Sequence, residues 1–524
     1  MKLYRAFATV GGLTLVSRVL GFARDVLLAA LLGTGAVMDA FVVAFRLPNL
    51  FRRLFGEGAF NAAFVPLYAK RLEGEGIVAA NRFARDAMSG LSFILILFSA
   101  VMMLAMPWLM LGFAPGFASD PAKYALAVDL TQIAFPYLLC MSLVALLSGV
   151  LNSLERFWAA AAAPILLNVV LVTAIVIALW LGLTNQPGAG YILAIGVFIA
   201  GFVQLAMLWI AAARANAAIG LSRPRWTPEM RRLVVLGVPG LIAGGITQIN
   251  ITVGTIIASL QESAVSYLFV ADRFYQLPLG IVGIAIGVVL LPDLSRKLRA
   301  GDWSAAIDSQ NRSLEFAILL TLPSAVGLAL AAEPIISILF ERMAFTAEST
   351  VATAHALVAF SLGLPAFVLI KVFQPAFFAR EDTATPMWLA GVNLVVNVIG
   401  SLSLFYYFRE IGWQGHVGIA LATSIAGWVN AILLWAVLAG RGAFAADTRL
   451  LRNLALIIFA SVLMGTSLVF LLDTLAPHLD RAQSLIERAA ALAALIGGGA
   501  AVFFAVMLAT GVVHYRMIFG GRTR

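Results

Sequence analysis

Long apolar segments recur along the whole chain, and they constrain its fold more than any other feature of the sequence. A helix needs about 20 apolar residues to cross the hydrocarbon layer of a bilayer. Only 12% of the residues are charged, against about a quarter in soluble domains. We therefore predict an all-α polytopic membrane protein with fourteen spans, near residues 7–32, 36–69, 87–113, 124–152, 158–183, 190–213, 233–260, 264–294, 314–340, 350–378, 386–408, 417–439, 453–472 and 485–513.

Lysine and arginine are distributed unevenly between the connections. With the N-terminus in the cytoplasm, 23 of the 35 basic residues fall in cytoplasmic connections and 5 in outer ones. The positive-inside rule then predicts that both termini are cytoplasmic. This topology accounts for the net charge of +9, so no nucleic-acid partner is expected. The first apolar run has no small-residue cleavage site, which predicts a retained helix and no signal peptide.

Two parts of the chain match each other at offsets of 228–230 residues. Leu47-Pro48 corresponds to Leu277-Pro278, and Asn168-Val169 corresponds to Asn397-Val398. Six spans separate the matched positions, so the two halves have the same predicted orientation and are related by a pseudo-twofold axis along the membrane normal. The predicted parts are an N-terminal lobe, a C-terminal lobe and an appended helix pair, over residues 1–218, 219–445 and 446–524.

Seven basic and four acidic residues inside the predicted spans are the candidates for buried charges, and eight of these eleven lie in the first two spans. Charges in hydrocarbon are costly and normally face a wet interior, so they indicate a functional cavity. The basic residues of this set are Arg18, Arg24, Arg46, Arg52, Arg53, Arg273 and Lys371. The acidic residues are Asp25, Asp39, Glu57 and Asp272.

The excess of arginine favours an anionic ligand, because a planar guanidinium binds phosphate or carboxylate through two hydrogen bonds. Arg18 and Asp25 are seven residues apart and share a helix face, so they are candidates for an ion pair. For Arg46, a packing or snorkelling role is an equal alternative to ligand binding. Arg52 and Arg53 have a second interpretation, in which they lie in a cytoplasmic loop before a re-entrant segment at residues 56–58.

The sequence contains no nucleophile–base pair and no phosphate-binding glycine loop, so we do not expect an enzyme. The single Cys140 and four widely spaced histidines do not indicate a disulfide framework or a metal centre. In the last predicted span, Gly497-Gly498-Gly499 gives one helix a smooth face. This face indicates either packing through small residues or a groove for a lipid chain.

Several motifs resemble the MurJ (MviN) family over essentially the whole chain. They comprise SRVLGFARD at 17–25, DAF at 39–41, FRLPNLFRRLF at 45–55, GEGAF at 56–60, AFVP at 63–66, ADR at 271–273, LLP at 290–292 and FFAREDT at 377–383. The resemblance implies a fourteen-helix flippase of the MOP exporter superfamily, which also contains the MATE antiporters. Its implied substrate is lipid II, the undecaprenyl-pyrophosphate-linked disaccharide pentapeptide of peptidoglycan synthesis, in the bacterial cytoplasmic membrane.

The resemblance also implies roles for individual residues. The implied ligands of the pyrophosphate head group are Arg18, Arg24, Arg52 and Arg273. Asp25, Asp39 and Glu57 are implied to orient these arginines or to act in gating, and the last two helices to hold the lipid tail. From their positions in the spans, we add Arg53, Asp272 and Lys371 to the candidate cavity residues.

No bound cofactor is expected, and the membrane potential is the predicted energy source. Some members of the family have a sodium site with acidic ligands on the seventh and eleventh helices. The seventh span here has no Asp or Glu, which leaves Asn250, Asn393 and Asn397 as weak sodium candidates.

Three rival functions remain open from the sequence. They are a flippase for another lipid-linked oligosaccharide, a cation-coupled drug antiporter, and a scaffold that recruits cell-wall synthesis proteins. The arginine excess disfavours the antiporter, because a drug or cation pump needs a carboxylate-rich cavity. Membrane lipids and cell-wall synthesis proteins are the further candidate partners.

Overall fold

The computed structural model describes the backbone of residues 2–53 and 59–513. Within these ranges it describes all side chains except those of residues 2–8, 59–62, 238–247, 249–251, 281, 284, 285, 287 and 288. The described residues form eighteen α-helices and a short 3-10 helix, Pro115–Ser119.

The helices of the first part of the chain are α1 (Lys2–Leu32), α2 (Ala36–Arg52), α3 (Ala59–Leu104), α4 (Met106–Phe113), α5 (Pro121–Ala134), α6 (Tyr137–Ser153), α7 (Phe157–Trp180), α8 (Pro187–Arg214) and α9 (Pro228–Ala258). The remaining helices are α10 (Ala264–Arg299), α11 (Trp303–Leu330), α12 (Ala332–Phe340), α13 (Ala347–Ser361), α14 (Leu364–Phe378), α15 (Ala384–Glu410), α16 (Gly415–Gly440), α17 (Thr448–Leu479) and α18 (Leu485–Ala509).

Within the described residues, each of the fourteen predicted spans overlaps with helix, and the all-α polytopic membrane fold is confirmed. Ten helical segments of the described chain are long and apolar enough to cross a bilayer, with α5 and α6 forming one such segment and α13 and α14 another. The other four predicted spans correspond to α1, α2, α9 and α10. Within the long α3, Gly76 has φ 82° and ψ 174°, a conformation that glycine tolerates readily, and it forms a kink between two helical parts.

The chain forms two compact units. The first contains Met1–Ser266 and Arg342–Phe345, and the second contains Tyr267–Glu341 and Thr346–Arg524. The predicted division at residues 218 and 445 stays a prediction.

In the first unit, α7 packs along α1 and α8, α2 packs on α5, and α3 lies against α6 and α9. Small residues allow these close approaches. A Cβ at Gly196 of α8 would lie 3.0 Å from the Cβ of Ala174 on α7, and one at Gly201 would lie 3.0 Å from the Cβ of Cys140 on α6. Packing through glycine is the usual way in which membrane helices maximise their contact.

In the second unit, α15 packs on α16, and α17 packs on both α11 and α18. The small-residue face of α18 contributes to this packing, since a Cβ at Gly499 would lie 2.7 Å from Leu468 of α17 and one at Gly498 would lie 2.8 Å from Leu471. Gly497 faces open space. The packing interpretation of this glycine run is therefore correct for two of its three residues.

Polar bonds near the start of α17 fix that helix to α11. Asn453 donates to Glu315 Oε1 at 2.6 Å, and Arg312 is paired with Asp447. Asn311 also donates to the main-chain oxygen of Ala445 at 3.0 Å. The appended helix pair is thus an integral part of the second unit.

The contact between α15 and α16 gives a direct test of this packing. A Cβ at Gly418 would lie 2.6 Å from the carbonyl carbon and oxygen of Leu404. Gly418→Ala is therefore expected to lower the free energy of unfolding by about 1–3 kcal/mol, which is typical of overpacking. Gly391→Ala on α15 is the matched control, because nothing lies within 4 Å of that position. Thermal unfolding in detergent measures both, and equal midpoints would contradict the described packing.

Candidate functional site

Arg24, one of the predicted head-group ligands, makes three side-chain hydrogen bonds. Its Nε and Nη2 donate to Asp25 Oδ1 at 3.0 and 2.6 Å, and its Nη1 donates to Asn168 Oδ1 at 2.9 Å. The Arg24 side chain is 12% exposed and that of Asp25 is 5% exposed. A guanidinium held in this way has a fixed plane but still reaches the surface of its unit.

Arg18 does not occupy the predicted position beside Asp25. It is exposed, and it makes no hydrogen bond or ion pair with the described part of the chain. Asp25 contacts the adjacent Arg24, because an arginine side chain is long enough to fold back onto its neighbour in sequence. Of the three residues of α1 predicted for the cavity, the structure thus joins Arg24 and Asp25 and leaves Arg18 apart.

Asp39 on α2 is fully buried and has four donors. The Lys123 ammonium lies 2.6 Å from Oδ2, and the main-chain N–H groups of Ser263 and Ser266 donate at 3.1 and 2.9 Å. The Ser266 hydroxyl is the fourth donor. The carboxylate therefore caps the start of α10, where the helix dipole favours negative charge.

The arginines of α2 have individual partners. Arg46 donates to the hydroxyl of Thr255 on α9. Arg52 Nε donates to Asn49 Oδ1 at 3.0 Å, and Asn49 in turn donates to the Phe45 carbonyl at 2.8 Å. This contact of Arg46 supports its packing role.

Arg53 and Glu57 are the two remaining predicted residues of this region. The side chain of Arg53 is exposed, at the C-terminal end of α2. Glu57 lies outside the described residues. The choice between a helix and a re-entrant loop after Arg53 therefore stays a prediction.

In the second unit, the half-buried Arg273 lies on α10. Its guanidinium carbon is 4.4 Å from the centroid of the Phe269 ring, one helical turn earlier. Stacking of this kind helps to hold the plane of the guanidinium. Asp272 accepts a hydrogen bond from Gln276. Lys371 on α14 is exposed, and its Cγ lies 3.6 Å from where a Cβ would be at Gly283.

Two of the three sodium candidates make helix–helix hydrogen bonds. Asn393 donates to the Ala426 carbonyl at 2.8 Å, and Asn397 Oδ1 accepts from the Ser401 and Thr423 hydroxyls at 3.3 Å each. The side chain of Asn250 is outside the described set. In the part of the chain that was searched, no group of three His, Cys, Asp or Glu residues could hold a metal ion.

Asn168 and Lys123 belong to these clusters, although the sequence did not single out either as a site residue. Asn168 is one of the repeat matches, and Lys123 lies in the predicted outer connection before the fourth span. A polar residue within the strongly apolar α7 was the available signal, since a buried amide needs hydrogen-bond partners. No sequence signal identifies the partner of Lys123.

Solved structures with the same architecture define the class of this protein. A lipid II flippase MurJ in an inward closed conformation superimposes with a TM-score of 0.75 and 24% identity, and covers 95% of this chain and 99% of that one. An inward-facing MATE-family multidrug transporter of the MOP superfamily superimposes with a TM-score of 0.66 and 13% identity. It covers 82% of this chain and 95% of that one. The fold is therefore that of a MOP-type transporter.

The sequence identifies the family within this class. Residues 28–486 match the family described as Lipid II flippase MurJ. A probable lipid II flippase MurJ of Rhizobium meliloti (strain 1021) is 50% identical over 519 residues, which cover 99% of this chain and 96% of the relative. The chain belongs to the MurJ lipid II flippase family, and it is a transporter and not an enzyme.

Proposed function

We propose that this chain moves lipid II from the cytoplasmic to the outer leaflet of the bacterial cytoplasmic membrane. Family membership supports the substrate, and the observation that carries the binding chemistry is the coordination of Arg24. That guanidinium is fixed by Asp25 and Asn168, yet it remains accessible at 12% exposure. A cation of fixed orientation is suited to an anionic head group, because less conformational freedom is lost on binding.

The proposed mechanism is alternating access by two lobes, residues 1–218 and 219–445. The cavity takes the head group from the cytoplasmic side while the polyprenyl tail stays in lipid, and the lobes then close and reopen outward. Four arginines bind the pyrophosphate in this proposal: Arg18, Arg24, Arg52 and Arg273. Three acidic residues orient the arginines or act in gating: Asp25, Asp39 and Glu57.

Arg53, Asp272 and Lys371 complete the proposed cavity. The last part of the chain, 446–524, provides the groove for the lipid tail. The open space at Gly497 supports this assignment, because a neighbouring acyl or isoprenoid chain needs a smooth helix surface there. Both termini are placed in the cytoplasm by the distribution of basic residues.

The membrane potential is the proposed driving force. A pyrophosphate carries about two negative charges, and moving each one outward from a negative interior gains about 2.3 kcal/mol per 100 mV. The hydrogen bonds of Asn393 and Asn397 to α16 and neighbouring hydroxyls agree with a packing role, so the proposal needs no sodium site.

The decisive experiment is complementation of cells depleted of their own lipid II flippase. The chain is expected to restore lipid II translocation, whereas its Arg273→Ala variant, expressed equally well, is not. Rescue by both forms would remove Arg273 from the binding site. Failure of both, despite good expression, would favour a different lipid-linked oligosaccharide or a drug as the substrate.

A scaffold for cell-wall synthesis proteins predicts a different result from the same experiment. A scaffold does not need the charges of the cavity, so the wild-type chain and the Arg273→Ala variant would restore growth equally.

A further inference from the structure

The amide of Asn168 connects the main chain of α1 to the guanidinium of Arg24. Asn168 lies in the middle of α7 and is 5% exposed. Its Nδ2 donates to the Ser17 carbonyl at 2.9 Å, and its Oδ1 accepts from Arg24 Nη1 at 2.9 Å. Ser17 and Arg24 are seven residues apart on α1, so this one side chain spans about two turns of that helix.

The orientation of this amide follows from the chemistry of its partners. A carbonyl oxygen can only accept and a guanidinium can only donate. The Asn168 nitrogen must therefore face Ser17, and the oxygen must face Arg24. The main chain of α1 thus fixes the acceptor that holds the Arg24 side chain.

The remaining donors of Arg24 can be counted. Of its five N–H groups, Nε–H and one on Nη2 are used by Asp25, and one on Nη1 is used by Asn168. One N–H remains on each terminal nitrogen with no acceptor among the described residues. Two such donors on one planar group match two oxygens of a phosphoryl group.

We infer that Asn168 is a positioning residue for Arg24: its amide fixes the guanidinium plane so that both remaining N–H groups bind one phosphoryl group of the anionic head group. The inference rests on the proposed function and names a residue that acts through Arg24 without touching the substrate. Both bonds to Asp25 go to one oxygen, Oδ1, so by themselves they leave the whole guanidinium plane able to turn about that contact.

The neutrality of the amide is part of this role. Asp25 already places one carboxylate against Arg24. A second carboxylate at position 168 would still accept from Nη1, but it would repel both the Ser17 carbonyl and an incoming phosphate. Asn168→Asp keeps nearly the same side-chain shape and changes only its charge, so this variant tests the effect of charge alone.

The test measures binding of farnesyl pyrophosphate and farnesyl monophosphate to the purified full chain in detergent, together with its thermal midpoint. Asn168→Ala is expected to weaken pyrophosphate binding about tenfold, the effect of losing one good charge-assisted hydrogen bond. It should also reduce the preference for pyrophosphate over monophosphate. Asn168→Asp is expected to weaken binding further, because it adds a negative charge beside the ligand.

Gln204→Met is the matched control. Gln204 is a fully buried amide on α8 that donates to the Ala163 carbonyl of α7 at 2.7 Å, and it contacts no charged group. This variant loses a comparable buried bond to α7 and is expected to lower the thermal midpoint while binding both ligands as the wild type does.

Arg24→Ala distinguishes the inference from the proposed function. Weak binding by Arg24→Ala with wild-type binding by Asn168→Ala would overturn the positioning role and leave the proposed head-group site intact. Wild-type binding by Arg24→Ala would overturn the proposed site itself, and the positioning role with it.

Discussion

Replacement of Arg24 with alanine is expected to lower the rate of lipid II translocation at least 100-fold. The remaining two N–H groups of Arg24 are the proposed contacts with the pyrophosphate, and hydrogen bonds that involve a charged group are worth about 1.5–3 kcal/mol each. Since each 1.4 kcal/mol is a factor of about ten, two lost bonds give this magnitude. The rate is measured in cells depleted of their own flippase, at matched expression.

Two further variants make this prediction specific. Arg24→Lys keeps the charge but cannot present donors to Asp25, Asn168 and a phosphoryl group in one plane, so at least a tenfold loss is expected. Arg82→Ala removes an exposed arginine from α3 and is expected to keep the wild-type rate. Full activity of Arg24→Lys would show that charge alone matters and would contradict the bidentate contact.

Alanine at position 24 also removes the arginine that lies against the Asp25 carboxylate. Lower stability of the protein would then account for part of the loss of translocation. The lysine variant and a thermal midpoint for each protein separate the two effects, because a lysine at this position retains a positive charge near Asp25.

The helices were predictable because the signal for a span is local. Apolar length alone located the helical segments, ten of which are long and apolar enough to cross a bilayer in the described chain, and it also located α1 and α2 in spite of their charges. The end of the second predicted span was located less accurately. The prediction ends this span at residue 69, whereas the structure places the kink in α3 at Gly76. Helix continues through residues 70–75, four of which are charged, and hydropathy does not detect it there.

The sequence indicated which charged residues belong to the candidate site, but it did not indicate which of them contact each other. Asp25 contacts Arg24 and not Arg18, although helical periodicity favours the latter pair. Periodicity describes the direction of Cα–Cβ bonds, whereas a long side chain chooses its partner by rotamer. Asn168 and Lys123 come from distant parts of the sequence, so their roles depend on tertiary packing that no local pattern contains.

Arginine predominates in the predicted spans, but the structure shows that these residues have different roles. Arg46 bonds to Thr255 on another helix, and Arg52 bonds to Asn49 on its own helix. Arg24 combines fixed geometry with partial exposure. A count of positive charges therefore supports the class of ligand, while the geometry at Arg24 supports the proposed contact with the head group.

Asp39→Ala is expected to lower the free energy of unfolding by about 3–5 kcal/mol, the usual effect of removing one member of a buried ion pair. The substitution leaves the Lys123 ammonium, 7% exposed, without its carboxylate and removes the cap from the start of α10. Thermal unfolding in detergent measures the effect.

Lys123→Met is expected to cost less than Asp39→Ala. The Asp39 carboxylate would keep three donors, the main-chain N–H groups of Ser263 and Ser266 and the Ser266 hydroxyl, together with the favourable helix dipole. The Lys123 ammonium, in contrast, has Asp39 as its ion-pair partner and otherwise lies 4.3 Å from the centre of the Phe117 ring.

The double variant Asp39→Asn/Lys123→Met forms a double-mutant cycle with the single variants Asp39→Asn and Lys123→Met. Asparagine keeps an acceptor for the start of α10, and methionine removes the buried ammonium, so the double variant is expected to be more stable than Asp39→Asn alone. The coupling free energy then reports the ion pair separately from the cap. Additive effects of the two substitutions would show that the pair contributes little, and that the stability conferred by Asp39 comes from its hydrogen bonds to α10.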